Sequence, residues 1–162
     1  MTTDDGLTHL NDRGDARMVD VTAKDVTTRS ATARCTVSIS REVAALLASG
    51  GLPKGDALAV ARIAAIQATK RTPDLIPLCH PIAVHGVDVD VAVDDAVPCV
   101  VIQATVRTAD RTGVEMEALT AAAVGGLTVI DMVKGKDRTA AISEVVLLEK
   151  LGGRSGHWVR PT

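Results

Sequence analysis

The chain has 162 residues, enough for one domain with its own core, and its 46% hydrophobic and 23% charged content is that of a soluble globular protein. A net charge of −2 and a single aromatic residue, a Trp, argue against nucleic-acid binding, which wants basic patches and stacking platforms. Three irregularly spaced cysteines (Cys35, Cys79, Cys99) and a polar N-terminus whose apolar runs are too short for a leader or a membrane span point to a reducing, cytoplasmic setting. With Ala and Val carrying the core, each residue buries little area, so further burial at a subunit interface is expected and the chain reads as oligomeric.

Residues 1–33 read as a flexible N-terminal arm: Met1 to Asp5 disordered, the rest polar and rich in Thr and Asp, with one short apolar strand at Met18-Val19-Asp20-Val21. Residues 34–151 form a single domain. Cys35, Val37 and Ile39 alternate with Arg34, Thr36 and Ser38, predicting a half-buried strand from Arg34 to Ser40. Ser40 is a good N-cap for a short helix over Arg41–Ala48, which Gly50-Gly51 ends. Asp56 caps a second helix running through Arg71. Pro73, Pro77 and Pro81 make Thr72–Pro81 a stiff irregular loop. Val84–Val93 and Cys99–Thr108 alternate in period two and read as a hairpin joined by residues 94–98.

Next comes a helix that is apolar on nearly every face, from Met116 to Lys134, with charge only at its ends. Glu115 and Glu117 suit the positive end of the helix dipole and read as end charges. Asp131 lies at the wrong end for an acid and, three residues from Lys134, forms a neighbouring acid–base pair. At about 100° per residue, Glu117 and Asp131 fall about 40° apart on one face. Ala141–Leu151 supplies a last strand before a C-terminal tail, residues 152–162. The order strand, helix pair, strand, strand, helix, strand is the ferredoxin-like split βαβ plan, an α+β fold with an antiparallel sheet and its helices on one face. The other sheet face is then free to meet another subunit.

Two loops stand out chemically. Ser49–Asp56 sets Lys54 among glycines before a helix, either a phosphate site or a helix–helix turn with a solvated lysine. Prolines fix Cys79 and His80 in one conformation, suiting His80 to hydrogen bonding or proton transfer, with a buried structural histidine as the alternative. The spacing does not fit zinc, and no metal or other cofactor is expected. The remaining basic groups (Lys70, Arg71, Lys136, Arg138, Lys150, Arg154) read singly as surface charges and, if convergent, as a polyphosphate cradle.

The blocks Lys54-Gly55-Asp56, Asp74–Pro81, Thr112–Thr120 and Asp131-Met132-Val133-Lys134 occur in the order seen in the cyclic pyranopterin monophosphate synthase family, which the chain resembles from Leu7-Thr8-His9 to Gly152–Gly156. The resemblance implies a ferredoxin-like homohexamer, a trimer of dimers. It implies a lyase of molybdenum cofactor biosynthesis that converts (8S)-3',8-cyclo-7,8-dihydroguanosine 5'-triphosphate to cyclic pyranopterin monophosphate and pyrophosphate by general acid/base catalysis. Asp131, Lys134 and Lys54 match the family's catalytic group. Leu78, Cys79, His80, Met116 and Glu117 match its substrate-binding positions, with Glu115 beside them and Asp20, Lys24, Arg29 and Lys150 further out. The chain departs from the family's pattern at Gly125-Gly126, Ile130, Val133 and Gly135-Lys136. Two mid-helix glycines cost about 1 kcal/mol each against alanine unless another backbone packs closely. A partner subunit is expected to supply that backbone, and the site then to take Lys54 from one chain and Asp131 with Lys134 from the other. The reading from a different class is a non-catalytic oligomeric ferredoxin-like module that binds a nucleotide.

Overall fold

A computed structural model describes residues 10–11, 13–94 and 96–161; the expectations for Met1–Asp5 and for Leu7-Thr8-His9 lie outside them. The elements in chain order are β1 (Thr27–Ser38), α1 (Arg41–Ala48), α2 (Ala57–Thr69), α3 (Thr72–Leu75), β2 (Gly86–Asp94), β3 (Cys99–Asp110), α4 (Glu115–Val133), β4 (Ala141–Leu151) and β5 (Trp158–Val159). The strands form one antiparallel sheet in the order β2-β3-β1-β4-β5. The first four strands stand in the order that the split βαβ plan requires, and β5 extends the β4 edge.

The alternation of β1 decides which face is covered. Ala31, Ala33, Cys35 and Val37 are buried beneath α4, while Thr32, Arg34 and Thr36 turn to the opposite face. That opposite face is a ladder of polar pairs: Thr32 with Thr105 at 2.9 Å, Arg34 with Glu144 at 2.7 Å, and Arg107 with Asp88 at 2.5 Å. Exposed apolar side chains lie on the outer side of the helices, at Val60, Ile63 and Leu127, and also along β4 and β5, at Val145, Leu151, Trp158 and Val159.

α1 and α2 start where their capping residues predict. Ser40 Oγ accepts from Val43 N, and Asp56 Oδ1 accepts from Ala59 N. Asp137, just beyond α4, accepts from Ser40 N at 2.7 Å and so ties the end of α4 to the start of α1. The stripe Ala57, Ala61, Ala65 and Ala68 lets α2 lie close against α4.

Four expectations need correcting. β1 begins at Thr27 rather than Arg34, because its backbone pairs with β3 from Thr27↔Asp110 onward although its side chains there are polar and exposed. Thr72–Leu75 is a helical turn, with the proline inside the first turn where its missing N–H costs nothing. Met18–Val21 forms no strand and has no ladder partners. The glycine pair faces this chain's own core. A Cβ on Gly126 would lie 2.5 Å from Cys35 Sγ, and one on Gly125 3.1 Å from Ile102 Cγ2 and 3.4 Å from Ala65 Cβ. The close neighbours are side chains of the sheet and α2, so no partner backbone is needed there.

α4 is long and apolar enough to cross a membrane on length and composition alone. Half of that stretch is buried against the sheet and α2, the position of a core helix.

Candidate active site

At the C-terminal end of α4, Asp131 sits between two lysines. Lys134 Nζ is 2.7 Å from Asp131 Oδ1 and Lys54 Nζ is 3.7 Å from Oδ2. Lys54 also donates to the Asp131 main-chain oxygen at 2.8 Å, where the unpaired carbonyls of a helix end attract a cation. Lys54 reaches this point from the loop before α2, in which Gly50 and Gly55 take positive φ. All three side chains are about half exposed or more. The hydrogen bond and charge of Lys134, helped by Lys54, hold the Asp131 carboxyl below the usual range, so it is ionised at neutral pH.

At the other end of α4 lies a cavity of about 390 Å³, walled by Val19, Val21, Ile76 and Leu78 and rimmed by Lys24, Cys79, His80, Thr112, Glu115 and Met116. Glu117 lies behind Cys79 and does not itself line the cavity. The residue is 1% exposed, its Oε1 accepts from the Cys79 thiol at 3.6 Å, and its Oε2 has no partner. Burial pushes the Glu117 carboxyl pKa up, with the charge of Glu115 adding to it. Burial beside Glu117 likewise lifts the Cys79 thiol to about 11, so it stays protonated and donates rather than attacks. Glu117 is therefore no solvated end charge, as its place in the first turn suggests. The His80 ring is half-buried, and Nε2 lies 2.7 Å from the Val19 carbonyl oxygen. A carbonyl only accepts, so Nε2 carries the proton and the ring is pinned against the Val19–Val21 wall.

A second cavity of about 280 Å³ adjoins the first through Lys24 and is lined by Ala23, Asp25, Thr27, Arg29, Gly153 and Arg154. Arg29 is held by the main-chain oxygens of Asp110 and Arg111 at 2.9 and 3.1 Å, and Arg111 in turn donates to the Lys24 oxygen at 2.9 Å. Lys150, on β4, lies 3.6 Å from Glu115 Oε1 and donates to Ser155 Oγ. Asp20 faces its own turn, accepting from Thr22 N at 2.8 Å and Thr22 Oγ1 at 2.6 Å, and it lines neither cavity. Among the described residues, no group of three or more His, Cys, Asp or Glu side chains is placed to hold a metal ion.

The sequence-predicted residues thus fall into two groups in one chain. Lys54, Asp131 and Lys134 form one, which overturns the expectation that Lys54 and Asp131 meet only across chains. Leu78, Cys79, His80, Glu115, Met116 and Glu117 form the other, with Lys24, Arg29 and Lys150 beside it. Asp131 lies fourteen helical steps beyond Glu117, about 21 Å at 1.5 Å each. Sequence reasoning missed the wall residues Val19 and Val21, whose signal was the apolar run taken for a strand. It also missed Arg111 as a brace, which has no signal short of the tertiary fold.

A family model described as the MoaC family matches residues 18–153. The chain is 58% identical over 156 residues to the cyclic pyranopterin monophosphate synthase of Nocardioides sp. (strain ATCC BAA-499 / JS614), covering 96% of both chains. It is 60% identical over 157 residues to the protein of that name from Streptomyces avermitilis, covering 96% of this chain and 91% of the relative. It is 54% identical over 154 residues to cyclic pyranopterin monophosphate synthase 2 of Mycobacterium tuberculosis (strain CDC 1551 / Oshkosh), covering 95% and 91%. The matched span includes both ends of α4, the Lys54 loop and the Cys79-His80 loop, and the chain belongs to the MoaC family.

Proposed function

We propose that the chain is a lyase that converts (8S)-3',8-cyclo-7,8-dihydroguanosine 5'-triphosphate to cyclic pyranopterin monophosphate and pyrophosphate, a step of molybdenum cofactor biosynthesis in the cytoplasm. The observation that carries this reading is the Lys54–Asp131–Lys134 cluster, two ammonium groups held by one carboxylate. Rearranging the purine-derived ring needs protons delivered and removed, and lysines at fixed positions serve that role. Closing the phosphate ring breaks a phosphoanhydride bond, and cations beside the leaving pyrophosphate stabilise its charge. Asp131 keeps the two ammonium groups side by side, which two like charges would otherwise resist. The cavity supplies recognition: Glu115, on its rim, is an acceptor for the guanine-derived N–H edge, with Glu117 buried behind Cys79, and Lys24, Arg29 and Lys150 are cations for the triphosphate.

The trio and the cavity stand at opposite ends of α4, about 21 Å apart along the helix, and this separation supports a complete site that draws its catalytic trio from one copy and its cavity from another. The exposed apolar side chains on the helix layer, Val60, Ile63 and Leu127, offer the surface for that pairing. A two-fold axis crossing α4 near Val124–Leu127 would set the Glu117 end of one helix against the Asp131 end of its partner and make two equal sites. We extend this to a homohexamer of three such dimers, in keeping with the family resemblance.

The test is turnover of the cyclised dihydro-GTP by the purified chain, following pterin formation and pyrophosphate release together. Stoichiometric appearance of both is expected. Tight binding without either product would favour the non-catalytic nucleotide-binding module.

A further inference from the structure

Gly113 precedes α4 by two residues and lines the main cavity together with Glu115. Its backbone does not require glycine, since it is not among the residues with positive φ. What requires glycine is space. A Cβ at position 113 would fall 2.6 Å from Glu115 Cδ and 2.7 Å from Oε1, and would meet Oε2 outright. The Glu115 side chain therefore folds back over Gly113, and in that pose its Oε1 lies 3.6 Å from Lys150 Nζ, whose ammonium also donates to Ser155 Oγ. Both members of the pair are largely shielded, with side-chain exposures of 22% for Lys150 and 31% for Glu115.

We propose that Gly113 is a positioning residue, whose missing side chain is the space that seats the Glu115 carboxylate against Lys150 at the rim of the cavity. The substrate part of this inference rests on the function proposed above; the ion-pair geometry does not. A methyl at position 113 displaces only the far end of one flexible side chain, so the fold tolerates it while the carboxylate swings away.

A double-mutant cycle tests this with Gly113→Ala, Glu115→Ala and the double variant. In steady-state turnover of the cyclised dihydro-GTP, Gly113→Ala should raise KM about tenfold, the scale of one hydrogen bond to a charged group, with kcat changed less. Glu115→Ala should raise it at least as much, and the double variant no further, since no carboxylate remains for the methyl to displace. The Lys150 ammonium signal in 15N NMR gives a second readout without substrate. It should move in Gly113→Ala and in Glu115→Ala, and no further in the double variant. An unchanged KM and an unmoved Lys150 signal in Gly113→Ala would overturn the proposal, as would multiplicative effects in the cycle or loss of folding. A wild-type chain without turnover would contradict the proposed function, and the NMR cycle would then decide the role of Gly113 alone.

Discussion

Two carboxylates on one helix meet opposite surroundings, and their chemistry separates accordingly. Asp131 shares solvent with two lysines, which stabilise its charge. Truncating either lysine removes a proton-transfer group but little packing, since each is about half exposed or more. Lys54→Ala and Lys134→Ala should each lower turnover by about 100-fold or more while circular dichroism and assembly size stay as in the wild type; near-normal rates would remove that residue from the mechanism. Glu117, by contrast, is sealed under Cys79 with one oxygen unpaired. Burial raises its pKa above the ordinary 4.5, so across that interval the folded chain keeps a proton that the unfolded chain has lost. Stability therefore falls as pH rises through the interval, and the full cost is present above the raised pKa. Glu117→Gln removes the charge, so its stability advantage over the wild type should be near zero at about pH 4 and grow towards neutrality. Urea unfolding at a fixed chain concentration across that range checks it, and a difference that stays flat with pH would contradict the assignment. The trio was legible from Asp131-Met132-Val133-Lys134 and Lys54-Gly55-Asp56. The burial of Glu117 was not, because a glutamate in a first helical turn has a sufficient local reason to be there, and only the loop folded over it gives another.

At the scale of elements, α4 shows how this core closes without large residues. Gly126 lies where Cys35 Sγ needs room, with Ile142 and Val37 each 3.3 Å from an added Cβ. Alanine gains about 1 kcal/mol in helix propensity, but overpacking a fixed core costs about 1–3 kcal/mol. Gly126→Ala should therefore come out net destabilised, by about 1 kcal/mol in urea unfolding, and adding Cys35→Ala should recover part of the loss. A stabilised Gly126→Ala would mean that the sheet yields easily at Cys35. Caps and alternation made α1, α2, the hairpin and β4 readable from the chain alone. The first half of β1 was not readable, because Thr27–Ser30 joins the sheet through its backbone ladder while presenting polar, solvent-facing side chains. β5 is too short, and too dependent on β4, to leave a pattern of its own.

At the scale of the whole molecule, the single chain gathers its expected site residues, Asp20 excepted, into two groups at the two ends of one helix. The expectation of an oligomer rested on a shortage of buried area, and it left the bare sheet face free for another subunit. That face carries a ladder of polar pairs, and exposed apolar side chains lie both on the helices and along β4 and β5. The central claim is that each site joins the catalytic trio of one copy to the cavity of another. Mixing one trio variant with one cavity variant, each first shown to be inactive on its own, tests it most directly. Lys134→Ala and His80→Ala, refolded together in equal amounts, put both defects into one site of a mixed dimer and leave the other site whole. About a quarter of wild-type activity should return if chains pair at random. Lys54→Ala mixed with Lys134→Ala should return none, because both lesions fall in the trio, which a single chain supplies. Recovery in the second mixture, or none in the first despite demonstrated exchange of chains, would contradict the account.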